Sequence, residues 1–340
     1  MSTPIISEAN TSETRTSATG ISATGASRYR TGLPQLSDQL FLTDGGLETC
    51  LIFHDGIDLP HFAAYPLLET SDGRATLRRY LDPFLRCARE ANVGFVIETP
   101  TWRANADWGK LLGHNAAALD RLNRVAIREA VEARTDAALT SPVVISGLIG
   151  PRGDGYVADT TTSPEQAAKY HSAQINTFAD TAADLVTAIT MTNSPEAIGI
   201  ALAASAASIP VVLGFTVETD GRLPSGETLE DAIQAVDEAT NAGPAYYMIN
   251  CAHPTHFASI LKPDAPWTAR IRGLRANAST MSHAELDVAT ELDDGDPNDL
   301  AIRCQVLRDQ ICTLNVFGGC CGTDARHIEA MAKALRVNNS

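Results

Sequence analysis

Three cysteines in two short motifs have the spacing and chemistry of metal ligands. NVFGGCCGTDARHI, residues 315–328, contains Cys320 and Cys321 side by side, and YYMINCAHP, residues 246–254, contains Cys251. Neighbouring cysteines rarely share a disulfide, because their Cα atoms lie about 3.8 Å apart and unstrained bridges need about 4.4–6.8 Å. Three thiolates favour Zn²⁺, and three protein ligands leave the fourth tetrahedral position for a substrate. Buried thiols without a ligand are the alternative reading of this spacing.

Residues beside the cysteines could shape such a site. Gly318 and Gly319 could adopt backbone conformations that a Cβ forbids, so the chain could turn sharply and point both sulfurs inward. Asn250, which we also count among the expected substrate contacts, could orient Cys251 or cap its strand. His253 could replace one cysteine, because imidazole also binds zinc, but a role in the loop is the simpler interpretation.

Eight short apolar runs, separated by helical patterns, could bring these residues together. The runs begin at residues 40, 93, 142, 184, 210, 245, 270 and 313. Between them, apolar residues recur every three or four positions, with Asn115 and Ser163 as helix N-caps. Continuously apolar strands alternating with helices predict a parallel sheet, and eight repeats predict an α/β fold, a single (β/α)8 TIM barrel. An open doubly wound sheet is the alternative.

A closed barrel would bring the three thiols to one rim. Strands 6 and 8 flank strand 7, so Cys251 and the Cys320–Cys321 pair follow the ends of strands separated by one neighbour. Active sites of these barrels lie at the carboxyl ends of the strands. Asp44 and Glu98 follow the same pattern. We therefore expect the metal ligands and the substrate contacts on this rim.

Composition narrows the class of partner. The chain has 26 Lys and Arg against 41 Asp and Glu, a net charge of −15, which disfavours nucleic acid and anionic membranes as partners. Residues 197–217 carry no charge but are divided by Ser and Pro, which predicts a packed helix and a buried strand rather than a membrane span. Seven cysteines without a secretory signal predict a cytoplasmic, reducing location.

The first part of the chain has a different composition. Residues 1–35 are rich in Ser, Thr, Ala and Gly and show no apolar periodicity. We predict a disordered tail over 1–35, dispensable for stability, and the barrel over 36–340.

Five segments resemble the homocysteine S-methyltransferase family. They are LTDGGLET from residue 42, GPRGDGY from 150, INCAHP from 249, LRANASTMSHAELD from 274 and FGGCCGTDARHI from 317. The resemblance spans roughly residues 38–336 and implies a zinc-dependent (β/α)8 barrel. It implies that Cys251, Cys320 and Cys321 hold the zinc.

The resemblance also implies the substrates and their contacts. A methyl group would move from a sulfonium or ammonium donor, such as S-adenosylmethionine, S-methylmethionine or betaine, to zinc-bound homocysteine, giving methionine. Asp44 and Gly45 match residues that contact the amino-acid part of homocysteine. Thr99, Thr101 and Trp102 match the segment near the substrate.

One residue departs from the family pattern. Ile189 stands where members commonly carry a glutamate that holds the homocysteine ammonium. Asp44 alone could pair with the amine, and Glu98 or Glu218 could replace the missing charge. A different thiol or selenol acceptor, or a non-catalytic zinc-binding barrel, are the alternatives.

Overall fold

Each apolar run forms a strand, and the strands close into one parallel barrel. The computed structural model describes residues 26–159 and 161–336. The strands pair in chain order and the last pairs with the first. They are β1 Phe41–Leu42, β2 Gly94–Glu98, β3 Val143–Ile149, β4 Leu185–Met191, β5 Val211–Phe215, β6 Tyr246–Asn250, β7 Ile271–Ala276 and β8 Val316–Gly319. The predicted (β/α)8 architecture is confirmed.

Helices connect the strands and cover the outside of the sheet. They are α1 Leu47–Thr49, α2 Ser71–Ala91, α3 Ala106–Leu111, α4 Ala116–Ala137, α5 Pro164–Ala179, α6 Ser194–Ala206, α7 Leu229–Thr240, α8 Pro254–Phe257, α9 His283–Asp287, α10 Pro297–Gln310 and α11 Ala325–Arg336. The predicted N-caps are confirmed: Asn115 accepts from Ala118 N–H, and Ser163 forms a capping box with Gln166.

The uncharged run 197–217 forms a packed helix with one exposed face, followed by a buried strand, as predicted. It supplies most of α6, the turn after it and the whole of β5. Within the described part of the chain, none of the helices combines the length and apolar character needed to cross a bilayer.

The connection from β6 to β7 departs from the expected alternation. It contains α8, a helix of only four residues, where a full crossover helix is usual. Pro263 and Pro266 follow it, and proline removes a backbone donor and interrupts helices. This part of the barrel wall is therefore covered mainly by loop.

Two apolar layers hold the barrel together. The larger cluster lies between the sheet and the helices. The smaller cluster fills the lower barrel interior with residues near the strand beginnings, including Phe41, Val144, Leu185 and Val316. Leu33, which precedes β1, belongs to this inner cluster, so the amino-terminal side of the barrel is closed by its own chain.

The segment 26–35 contacts the barrel, which corrects the predicted boundary of the tail. The backbone N–H groups of Arg28 and Tyr29 donate to Asp184 Oδ1 at 2.7 and 2.8 Å. The Arg30 guanidinium donates to three backbone carbonyls of residues 179–183. The sequence did not predict these contacts, because hydrogen bonds to backbone carbonyls and to one carboxylate leave no apolar periodicity. The rest of the predicted tail, residues 1–25, lies outside the described residues.

Candidate metal centre

The three predicted ligand residues meet at the carboxyl-terminal rim of the barrel. The sulfur atoms of Cys251, Cys320 and Cys321 all lie within 4.8 Å of one another. In this structure Cys251 and Cys320 are joined in a disulfide, with Cα atoms 5.3 Å apart, and Cys321 is a free thiol. The predicted convergence across strand β7 is therefore confirmed.

Unusual backbone geometry at Cys251 turns its side chain into the cluster. Cys251 has φ of 52°, a left-handed conformation that non-glycine residues rarely adopt. Its N–H donates to the Arg275 carbonyl at 3.0 Å, and its own carbonyl accepts from His283 Nε2 at 2.6 Å. Glu218 Oε1 lies 3.0 Å from His283 Nδ1. Bonds on both sides of Cys251 thus fix this conformation.

The glycines before the paired cysteines serve close packing. A Cβ at Gly318 would collide with Thr43 Oγ1, and one at Gly319 would collide with Thr323 Oγ1. Neither glycine has a positive φ, contrary to the expectation that they supply conformations forbidden to other residues. Strand β8 can therefore approach β1 and the following loop closely enough to place both thiols on the rim.

The donor set fits a soft metal ion. Two sulfur ligands of one tetrahedral zinc lie about 3.8 Å apart, given a Zn–S distance near 2.3 Å. The three sulfurs, all within 4.8 Å of one another, are close enough together that the reduced cysteines could share one such ion. Burial raises the pKa of the Cys321 thiol, and a hydrogen bond between Tyr156 Oη and Cys321 Sγ at 3.5 Å opposes that rise. His253 is not in the group; its side chain caps α8.

The thiols line a narrow pocket that continues into a wider vestibule. The inner pocket has a volume of about 60 Å³ and the vestibule about 350 Å³, and Cys321 and Tyr156 line both. The lining of the inner pocket also includes Asp44, Gly45, Glu48, Thr99, Trp102, Ile189, Arg275, Cys251 and Cys320.

A buried ion cluster forms one wall of the inner pocket. Arg275 Nη2 donates to Asp44 Oδ1 at 2.7 Å, and Arg275 Nη1 contacts Glu98. The other Asp44 oxygen accepts from Tyr80 Oη at 3.1 Å. Burial raises the pKa of Asp44, while Arg275 and Tyr80 lower it. Arg275 already balances the charge of Asp44, so a substrate ammonium would share this carboxylate with it.

The predicted substrate residues divide into two groups. Asp44, Gly45, Thr99 and Trp102 line the inner pocket, but Thr101 and Asn250 do not. Their side chains are fully buried and make other bonds: Thr101 bonds to Thr99 and the Leu148 carbonyl, and Asn250 bonds to the backbone and hydroxyl of Thr190. These two side chains therefore lie outside the pocket lining and bond to residues that form it or adjoin it.

A cationic side chain already lies against the ring of Trp102. The Arg103 guanidinium lies 4.6 Å from the centre of the Trp102 ring and 3.6 Å from that of Trp108. One face of Trp102 is thus occupied by this cation–π contact. Its indole Nε1 is buried and has no hydrogen-bond partner among the described residues.

Sequence reasoning did not assign a role to four residues of this region. They are Glu48, Tyr156, Arg275 and His283. Arg275 offered a signal, because an arginine inside an apolar strand must be paired with acidic groups. Tyr156 lies in the loop after β3 and His283 begins α9; their rings stack 4.2 Å apart, and neither residue offered such a signal.

Known proteins share this architecture. The sequence profile described as homocysteine S-methyltransferase matches residues 41–335. The structure is similar to that of the homocysteine methyltransferase MmuM from Escherichia coli. Its oxidised form is 20% identical over 88% of this chain and 97% of that chain, with a TM-score of 0.70. Its metallated form is 18% identical over 87% and 96%, with a TM-score of 0.68. No curated protein matches the chain in sequence.

Proposed function

The chain belongs to the homocysteine S-methyltransferase family, and from that premise we propose that it moves a methyl group from a sulfonium or ammonium donor to a metal-bound thiolate. Homocysteine is the proposed acceptor and methionine the product. The observation that carries this proposal is the group of three cysteine sulfurs, all within 4.8 Å of one another, in the lining of the inner pocket.

The proposed metal is Zn²⁺, held by Cys251, Cys320 and Cys321. Soft thiolate ligands select zinc, and three protein ligands leave one position for the acceptor sulfur. When bound, the metal supplies deprotonation of the acceptor thiol, whose ordinary pKa near 8.5 leaves only a few per cent nucleophilic at neutral pH. The metallated form of MmuM supports a metal in this family.

The disulfide and the metal site are alternative states of the same residues. A sulfur that is bonded to another sulfur cannot act as a thiolate ligand. The proposed active protein is therefore the reduced one, in keeping with the predicted cytoplasmic location, which stays a prediction.

The vestibule is the proposed site of the methyl donor. It carries four acidic side chains, Asp154, Asp287, Glu291 and Asp293, and one cationic side chain, Arg103. A sulfonium or ammonium donor is positively charged, so this excess of acidic groups favours its binding. Tyr156 lies between vestibule and thiols and could align the donor methyl group with the acceptor sulfur.

Ile189 favours a second candidate acceptor. It places an apolar side chain, 7% exposed, in the wall of the inner pocket. A thiol or selenol with less positive charge than homocysteine would need less negative charge in the pocket wall to balance it. The reaction type and metal requirement are the same for both acceptors.

Metal analysis combined with methyl transfer tests the proposal. Reduced protein should contain about one zinc ion per chain and should methylate homocysteine with at least one of the three donor classes. Cys251→Ser should lose both metal and activity, because it removes one of three ligands. Cys304→Ser should keep both, since that thiol is buried in α10, away from the rim. An active metal-free protein, or equal loss in the two variants, would refute the mechanism.

A further inference from the structure

Three acidic side chains near the three cysteines already have partners. They are Asp44, Glu98 and Glu218. Asp44 and Glu98 share the single guanidinium of Arg275. Glu218 lies 3.0 Å from His283, on the far side of the Cys251 carbonyl, and does not line the inner pocket. The two residues that could have replaced the missing charge, Glu98 and Glu218, are therefore both engaged.

Glu48 differs from these three. It lies in α1, just after the carboxyl end of β1, is half-buried and lines the inner pocket together with the three thiols. Within the described ranges 26–159 and 161–336, its carboxylate forms no ion pair and accepts no hydrogen bond from another residue's side chain. The nearest cations serve other groups: Arg275 binds Asp44 and Glu98, and Arg103 lies on two tryptophan rings.

The pocket around Glu48 is otherwise poor in groups that could balance its charge. Ile189 contributes only apolar surface, and Phe62 and Leu47 add more. A carboxylate in such surroundings lacks solvation unless a ligand provides a cation. Among the described residues, Glu48 therefore has no cationic side chain bonded to it, and only its own backbone N–H bonds its carboxylate beside the three cysteines.

We propose that Glu48 binds the positively charged amino group of the thiol acceptor and so takes the role that Ile189 cannot perform. This inference rests on the proposed function, because it assumes that an acceptor thiol occupies the inner pocket. It defines the substrate class as an aminothiol, with the sulfur at Cys251, Cys320 and Cys321 and the ammonium at Glu48.

The electrostatics of the inner pocket agree with this role. Loss of solvation, with a smaller contribution from the nearby charge of Asp44, raises the pKa of Glu48 to about 7. A bound ammonium would favour the ionised carboxylate and reverse that cost.

Binding measurements with two thiols test the role of Glu48. The probes are homocysteine and 4-mercaptobutyrate, which has the same thiol and carboxylate but no amine, titrated by calorimetry into reduced, zinc-loaded protein. The wild-type protein should prefer homocysteine. Glu48→Gln should weaken homocysteine binding by roughly 10- to 100-fold and leave 4-mercaptobutyrate unchanged, because only one charge-assisted hydrogen bond is lost.

Two further variants separate this role from general damage. Glu48→Asp keeps the charge and should retain part of the preference for homocysteine. Glu165→Gln removes an exposed glutamate on α5 and should change neither affinity. Elemental analysis and circular dichroism check that zinc content and fold are preserved in each variant.

The possible failures can be told apart. Equal homocysteine affinity in the wild-type and Glu48→Gln proteins, or an equal loss for both probes, would overturn the role of Glu48. A loss confined to a sulfonium donor would overturn the assignment to the acceptor. If the thiols bind as expected but no donor gives methyl transfer, the proposed function fails while the role of Glu48 in binding stands. Failure of the wild-type protein to bind homocysteine would overturn both.

Discussion

Deleting residues 2–30 should destabilise the barrel, although the composition of this segment predicts that it is dispensable. The deletion removes the two N–H donors to Asp184 and the Arg30 guanidinium that binds three carbonyls. Asp184 is completely buried and would keep only Ile145 N–H and Arg134, whose Nη1 lies 3.4 Å away. A buried carboxylate that loses half its donors is costly.

The size of the effect follows from these contacts. Hydrogen bonds that involve a charged group contribute about 1.5–3 kcal/mol each, but water can reach part of the surface that the deletion opens. We therefore expect a loss of roughly 3–6 kcal/mol in the free energy of unfolding. For a barrel of roughly 300 residues, with an unfolding entropy of about 2.1 cal/mol/K per residue, the melting temperature should fall by about 5–10 °C.

A pair of deletions makes the test specific. Deletion of 2–25 stops before the first described contact and should leave the melting temperature within about 1 °C of the full chain, whereas deletion of 2–30 should lower it as calculated. Differential scanning calorimetry and urea unfolding on the three proteins measure the difference. The single variant Arg30→Ala should give an intermediate result. Equal melting temperatures for the two deletions would refute the assigned contacts.

Two other outcomes follow from the structure. Iodoacetamide at pH 7.5 should alkylate the exposed Cys312 rapidly and leave Cys304 unmodified, because burial raises the pKa of Cys304 to about 12. Mass spectrometry measures the labelling of each cysteine, and comparable labelling of the two would contradict this prediction. Gly318→Ala should cost about 1–3 kcal/mol of stability and reduce zinc content, since the new methyl group meets Thr43 Oγ1. Gly153→Ala, with open space around it, is the control, and equal urea midpoints would exclude the collision.

The barrel and the thiol cluster could be predicted because both depend on strong, local signals. Strands buried on both faces read as continuous apolar runs, and the closure of eight of them fixes which strand ends are neighbours. Cys251 and Cys320 follow the ends of β6 and β8, so their meeting depends only on strand order. That order was visible in the sequence.

The pocket wall could not be predicted in the same way. The pairing of Arg275 with Asp44 joins residues 231 positions apart, and the contact of Tyr156 with Cys321 joins residues 165 apart. Such contacts depend on how loops and rotamers settle after the barrel has formed. The docking of Arg30 on backbone carbonyls is similar, since a carbonyl has no sequence identity that a motif could recognise.

The shared use of Arg275 couples the charges of the residues that line the inner pocket. A glutamate at position 189 would bring another carboxylate to a wall where one guanidinium already serves Asp44 and Glu98. A change of acceptor therefore needs coordinated substitutions, because the effect of residue 189 depends on residue 275. Acceptor specificity among such barrels should accordingly be assigned from positions 189 and 275 as a pair. A substitution at only one of them would leave the charges of the inner pocket unbalanced.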